Sequence, residues 1–347
     1  MLTSKALARD LDINSQELLL VNTQPGTEPE PLNGEDTLPS SASDIPLSRV
    51  GALYLFAAKK ASCKLFRSPA FVPEISIFPD HAHIVENCLG SDNIASIGTE
   101  AESLIDAVLC LGVFAFDSGQ IGDPRHDEHF NEYLQRLSLL SANIPSPTLR
   151  YHAHILTSSI LHSHPSDLVR LTFIRDTVQH CPYENLKASA VGWLKNEVLA
   201  ADKIADLDSA DERSVFATPV AIDTAAPYIF PDLVEALQQS STSDSWTSFK
   251  INFSFYLASL NLYYLLLSSQ HIRQSLGIVD LHIKHQISER FLDPLREGWE
   301  HYQAALENGA LAEEEGQPGV LGGLSDLRIL DDALERVSDA MVAVGLH

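Results

Sequence analysis

Residues 145–200, PSPTLRYHAHILTSSILHSHPSDLVRLTFIRDTVQHCPYENLKASAVGWLKNEVLA, read as three successive amphipathic helices separated by proline-marked corners. In the first, Leu149, Ala153, Leu156 and Ile160 recur at spacings of four, three and four, which puts them on one stripe of a helix. Leu171, Ile174 and Val178 repeat the pattern in the second, and Leu186, Ala190, Leu194 and Val198 in the third. Pro165 and Pro182 fit first-turn positions, where the missing amide has no intrahelical partner to lose. Corners this short make consecutive helices antiparallel neighbours, the pattern of stacked helical repeats. The fold class is therefore all-α, an elongated α-solenoid of irregular HEAT/ARM-like helix pairs.

The same pattern extends outward from this block. Residues 50–64, VGALYLFAAKKASCK, suit a buried helix; Ala82–Leu89 and Glu100–Phe116 read as two more, the second with Leu104, Val108 and Leu111 on one face. Asp117–His129 reads as an exposed loop before a helix around Tyr133–Leu140. Thr218-Pro219, Pro227 and Pro231 mark short helices up to Leu237, and Ser240–Ser245 reads as a flexible link. Trp246, Phe249, Phe253, Leu257, Leu260, Tyr264 and Leu267 then keep helical spacing over the longest apolar stretch. Asp293 and Pro294 suit the cap and first position of a helix carrying Leu295, Trp299, Tyr302 and Leu306, which Gly309 ends. Leu327, Leu330, Leu334, Val337, Met341 and Val344 form the last stripe, opened by Ser325. Thr23–Ser48 has too few large apolar residues to offset its ordering entropy, so residues 1–49 are expected to be mostly disordered apart from a short helix within the first twenty. Residues 50–347 form one helical-repeat domain, with a signature block at 145–200 and a C-terminal block at 246–347.

Composition narrows the function. Forty-seven acidic against 23 basic side chains give a formal charge of −24, which disfavours a nucleic-acid surface and favours a basic protein partner. Cys63, Cys88, Cys110 and Cys181 lack a C-x-x-C arrangement, so reduced thiols in an intracellular compartment are expected. The run Ile251–Leu267 is interrupted by Asn252, Ser254, Ser259 and Asn261, against a membrane span. Among the 14 histidines, His152 and His154 stand about 200° apart on a helix and cannot converge on one ion. His126 and His129, with Asp123 and Asp127, have better spacing but no second ligand cluster; a solvated loop is the simpler reading. Ser163, His164 and Asp167 lack the strand-to-helix elbow of a serine hydrolase, and there is no glycine-rich phosphate loop. No enzyme, cofactor or metal is expected, with a metal-dependent hydrolase as the remote alternative.

Two segments carry a resemblance. HSHPSDLVRLTFIRDTVQHCPYENLKASAVGWLKNEV, and INFSFYLASLNLYYLLLSSQHIRQSLGI followed by ISERFLDPLREGW, resemble the fungal YAP-binding/glomulin family of helical-repeat proteins, from about residue 50 onward. Members are usually longer, so the resemblance implies that part of the usual N-terminal region is lacking. It also implies a non-enzymatic, protein-binding scaffold acting in oxidative-stress signalling through a YAP-type transcription factor. The alternative is a glomulin-like regulator of a cullin ubiquitin ligase, bound through its RING subunit. Either role suits the cytoplasm, with the nucleus as a second compartment. Arg170, Arg175, Tyr183, Glu184, Asn185, Lys187, Lys195, Arg290 and Arg296, polar residues of these segments, are the candidates for partner contact; for each the simpler reading is a solvated face. Asp176 and Glu197 share that polar face, and Trp193, Trp246 and Trp299 are read as core. Cys181, just before Pro182 at a helix start, is the candidate redox thiol, because a helix N-terminus can lower a thiol pKa; the simpler reading is an inert apolar thiol.

Overall fold

The computed structural model describes residues 14–24, 48–66, 72–90, 93–205, 213–237, 242–311 and 324–346. Among them every regular element is helical and none is a strand. The chain divides into two compact units, Met1–Ser163 and His164–His347, a boundary that falls inside the 145–200 block.

The N-terminal unit contains α1 (Ser15–Thr23), α2 (Arg49–Phe66), α3 (Ala82–Cys88), α4 (Glu102–Asp117), α5 (Asp127–Asn143) and α6 (Pro147–Ser163). Asn14 caps α1 by accepting from the Glu17 amide, and Leu18 and Leu19 are buried where α1 meets α2 and α3. Residues 25–47, most of the segment expected to be disordered, lie outside the described residues. Helix α4 is the centre, packed against α2, α3 and α6, with Val108 and Leu111 fully buried and Leu104 nearly so. Each such side chain contributes about 1.5–3 kcal/mol by leaving water. Close approach is secured at Gly112, where a Cβ would lie 2.7 Å from both a His81 ring carbon and a Leu156 methyl.

The segment after α4 is exposed as expected, but it is tied down: the Ile77 and Phe78 amides donate to the Gln120 and Ile121 carbonyls at 2.8 Å. Gly122 turns it with φ +70°, and a Cβ there would stand 2.0 Å from the Phe78 oxygen. The loop is shorter than its polar composition suggests. Asp117 belongs to α4, and α5 begins at Asp127 with His126 as its cap, its Nδ1 accepting from the His129 amide at 3.1 Å. His129 is consequently helical and buried beneath Phe78, not part of a solvated loop.

The C-terminal unit contains α7 (Asp167–His180), α8 (Glu184–Ala205), α9 (Pro219–Ile229), α10 (Val234–Leu237), α11 (Thr242–Ser268), α12 (Gln270–Ser275), α13 (Ile278–His285), α14 (Asp293–Glu307) and α15 (Leu324–Ala343). Helix α8 packs against α7 and α11, and α15 closes on α11 and α14. The apolar stripes of α6, α7 and α8 are buried residue for residue as their spacing predicts, from Leu149 through Val198. Pro165 and Pro182, however, precede their helices by two residues; Ser166 caps α7, and the Tyr183 carbonyl receives the first amides of α8.

Helix α11 departs further from its pattern. It begins at Thr242, so Ser245 is a buried helical residue and not part of a flexible link. Phe253 and Leu257 are half-buried and Tyr264 is exposed, while Phe255, Tyr256, Leu262, Tyr263 and Leu266 are buried. Because α8 and α15 both pack on it, burial extends over more than one stripe. Asp293 is also no cap: Leu292 before it has helical angles and continues from the wide turn Ser288–Leu292, so no amide there awaits a side-chain acceptor. Helix α15 likewise starts at Leu324, one residue before Ser325, and Val344 beyond its end is half-buried. Among the described residues no helix is long and apolar enough to cross a membrane.

Candidate protein-binding surface

The corner between α7 and α8 is built around a charged network that the sequence does not announce. Asp167, the first residue of α7, accepts through Oδ2 from the Ser214 hydroxyl at 2.6 Å and the Val215 amide at 2.8 Å. Its Oδ1 takes the Arg170 guanidinium at 2.6 Å, one turn further on. Arg170 also donates to the His164 carbonyl, pairs through Nε with Glu197 Oε2 at 3.2 Å and lies 5.5 Å over the Phe216 ring. Glu197 is buried at 4% side-chain exposure and Arg170 is held at 12%, so neither belongs to a solvated face. Here the guanidinium holds α7, α8 and the Ser214–Phe216 segment together, and it presents little to a partner. Glu197 carried one legible signal: it sits three residues after Leu194 and one before Val198, on the apolar stripe itself.

The neighbouring candidates are more accessible. Glu184 and Lys187 pair at 2.8 Å across one turn of α8, both largely covered; Tyr183 is half-buried beside them and Asn185 is exposed. Arg175 binds Asp176 at 2.6 Å, and Lys195 is half-buried. Cys181 lies not at the start of α8 but at the end of α7, where its amide donates to the Thr177 carbonyl. Burial raises its thiol pKa and Glu184 adds to the rise, while the Tyr183 amide and Lys187 oppose it less strongly. That direction is opposite to the lowering expected from a helix N-terminus.

Arg290 and Arg296 lie apart from this corner, on the Ser288–Leu292 turn and α14. Arg290 bonds Asp232 at 2.9 Å, and its carbonyl accepts from the Leu233 amide, which anchors the approach to α10. Arg296 instead lines a groove between α14 and α15 together with Glu289 and Asp293. Trp193 stacks on Phe173 and Trp246 packs on Tyr302, both buried; Trp299 is half-buried and donates to the Leu327 carbonyl at 3.0 Å.

Several histidines have structural partners. His81 is fully buried between the Tyr133 hydroxyl and the Val108 carbonyl, at 2.7 and 2.8 Å, and His282 is held by the Tyr263 hydroxyl at 2.5 Å. Burial is the main cause that lowers the pKa of both. His83 faces Arg125 at 3.3 Å, His126 faces Glu128, and His129 lies 3.6 Å from Glu86; among the described residues no three metal-ligating side chains gather. Ser163 donates to the Ile160 carbonyl and His164 accepts from the Ser166 amide, so each serves a helix end.

A family model described as "Uncharacterised protein family, YAP/Alf4/glomulin" matches residues 3–332. The chain belongs to this family. The match includes the opening segment, which the resemblance read from about residue 50 had left out. It takes in both the Arg170 network and the Arg290–Arg296 edge of this chain. No curated protein matches the chain.

Proposed function

We propose that this YAP/Alf4/glomulin family member is a non-enzymatic regulator that binds another protein, and that its helix pairs stack into an elongated HEAT-like solenoid. The family match over residues 3–332 is the observation that carries this reading. Supporting it are the helices that pack directly on their successors across short corners, α5 on α6 and α7 on α8, the unit from which solenoids are made. The charge of −24 favours a basic partner, and a YAP-type transcription factor in oxidative-stress signalling is the partner proposed. Such a role belongs in the cytoplasm and nucleus.

The proposed contact residues are those that keep accessible polar groups: Arg175, Tyr183, Asn185 and Lys195 along α7 and α8, and Arg290 and Arg296 at the second edge. Lys187, paired with Glu184, would act behind them together with Arg170 by fixing the helices. Affinity purification of the tagged protein from fungal cells, before and after peroxide, tests the assignment. A basic-leucine-zipper factor recovered in a peroxide-dependent manner is the expected result. Recovery of cullin and RING subunits in its place would replace the YAP assignment with the glomulin-like one, and recovery of neither would overturn both. Association with the true partner should slow steeply as salt rises.

A further inference from the structure

The groove between α14 and α15 is a site in its own right. It encloses about 300 Å³, at the small end of the range for ligand pockets, enough for about one or two side chains. Its floor comes from Leu334, Val337 and Met341 of α15 with Leu346 beyond the helix and Leu292 opposite; all are buried, so the floor is a set part of the core. Val342 stands at the rim with 62% of its surface in water, an apolar side chain left uncovered among the described residues.

Charge defines the rim. Glu289 and Asp293 line the groove one turn apart, both exposed, and their fields reach His282. Helix α15 adds Asp326, Asp331, Asp332, Glu335 and Asp339 against Arg328 and Arg336, so the surroundings are net acidic, with Arg296 the one cation among the described residues that line the groove. An apolar floor inside an acidic rim matches a segment that presents apolar side chains flanked by lysine or arginine. Its cationic groups would meet Glu289 and Asp293, and its apolar groups would cover Val342.

We infer that this groove docks a short basic, amphipathic segment of a protein partner, with Glu289 and Asp293 selecting its charge and Val342 and Met341 receiving its apolar side chains. The inference rests on the protein-binding reading above and assigns it a place and a chemistry.

The probe is a fluorescein-labelled 14-residue peptide with leucine at every third or fourth position and lysine or arginine elsewhere, titrated with the full chain and read by anisotropy. Glu289→Lys with Asp293→Lys should weaken binding about tenfold or more, and Val342→Ser about fivefold. All three positions are exposed, and far-UV circular dichroism confirms that the variants fold. Asp106→Lys with Glu132→Lys, exposed positions of the N-terminal unit, changes net charge equally and should leave affinity within about twofold. A peptide with glutamate in place of the basic residues, or with serine in place of leucine, should bind about tenfold more weakly or worse. Equal weakening by the Asp106/Glu132 pair, or undiminished binding of the serine peptide, would overturn the site by revealing general attraction of a polycation. Unchanged binding by the Glu289/Asp293 variant would overturn it as well. If purification recovers no protein partner while the peptide binds as described, the proposed function fails and the groove stands; a partner that binds the Glu289/Asp293 variant as well as the parent leaves the function and removes the groove.

Discussion

His81 makes the N-terminal unit sensitive to acid. The ring is completely buried, and its two nitrogens have different partners: the Val108 carbonyl can only accept, so Nε2 carries the proton and Nδ1 accepts from the Tyr133 hydroxyl. A second proton at Nδ1 would force the Tyr133 hydroxyl to turn from donor to acceptor and would place a charge where there is no water. Burial accordingly lowers the pKa from 6.5 to about 4, and the Val108 hydrogen bond opposes that only in part. The sign follows directly: between these values the unfolded chain binds a proton that the folded unit refuses. Stability is therefore full above about pH 6.5 and falls as pH drops toward 4. At 1.36 kcal/mol per pH unit the loss reaches about 3 kcal/mol at pH 4, a large share of a typical domain's stability. Replacing the ring by His81→Gln keeps a donor and an acceptor but removes the titration. Urea unfolding at pH 7, 6, 5 and 4.5, read by the hydrogen-exchange protection of residues 102–117, follows this unit alone. The stability difference between parent and variant should shrink by about 2 kcal/mol between pH 7 and 4.5, because every other titrating group is shared. Parallel pH curves would refute the argument.

Gly112→Ala should cost about 1–3 kcal/mol by thermal denaturation, since its Cβ would push against His81 and Leu156; Gly119→Ala, with open space but φ +69°, should cost about 1 kcal/mol. Arg170→Ala takes the guanidinium away from the buried Glu197 carboxylate and from Asp167 and should destabilise the C-terminal unit by about 3 kcal/mol, whereas Arg170→Met with Glu197→Met should lose less; tryptophan fluorescence reads both, since Trp193, Trp246 and Trp299 all lie in that unit. Glu100→Ala removes the acceptor of the Gly90 and Gly98 amides, at 2.8 and 2.7 Å, and should cost about 2 kcal/mol by urea unfolding, with Glu100→Gln recovering part of it. Cys181 should react with iodoacetamide at neutral pH more slowly than in the urea-unfolded chain, because burial raises its thiol pKa; faster labelling would revive the redox role.

What the sequence determined by itself was the local part of the design. The spacing of Leu149 to Ile160, Leu171 to Val178 and Leu186 to Val198 fixed three helices and their inward faces, because a helix of 3.6 residues per turn makes burial a periodic function of position. The same holds for Gly309, which ends α14 with φ +75° as its placement predicts. Where a helix has more than one neighbour, periodicity stops short. Tyr263 is buried because Phe230 and His282 close on it, while Tyr264 next to it stays exposed with Arg336 over its ring, and those contacts join residues far apart in the chain. Charges show the same limit. Asp167, Arg170, Glu197 and Ser214 become one network, and Glu289 and Asp293 become a rim opposite α15, only when separate helices converge. Hydrogen bonds and ion pairs act over a few ångströms in space, whatever the separation along the chain, so only the tertiary structure could decide which polar residues hold the fold and which are left to meet a partner.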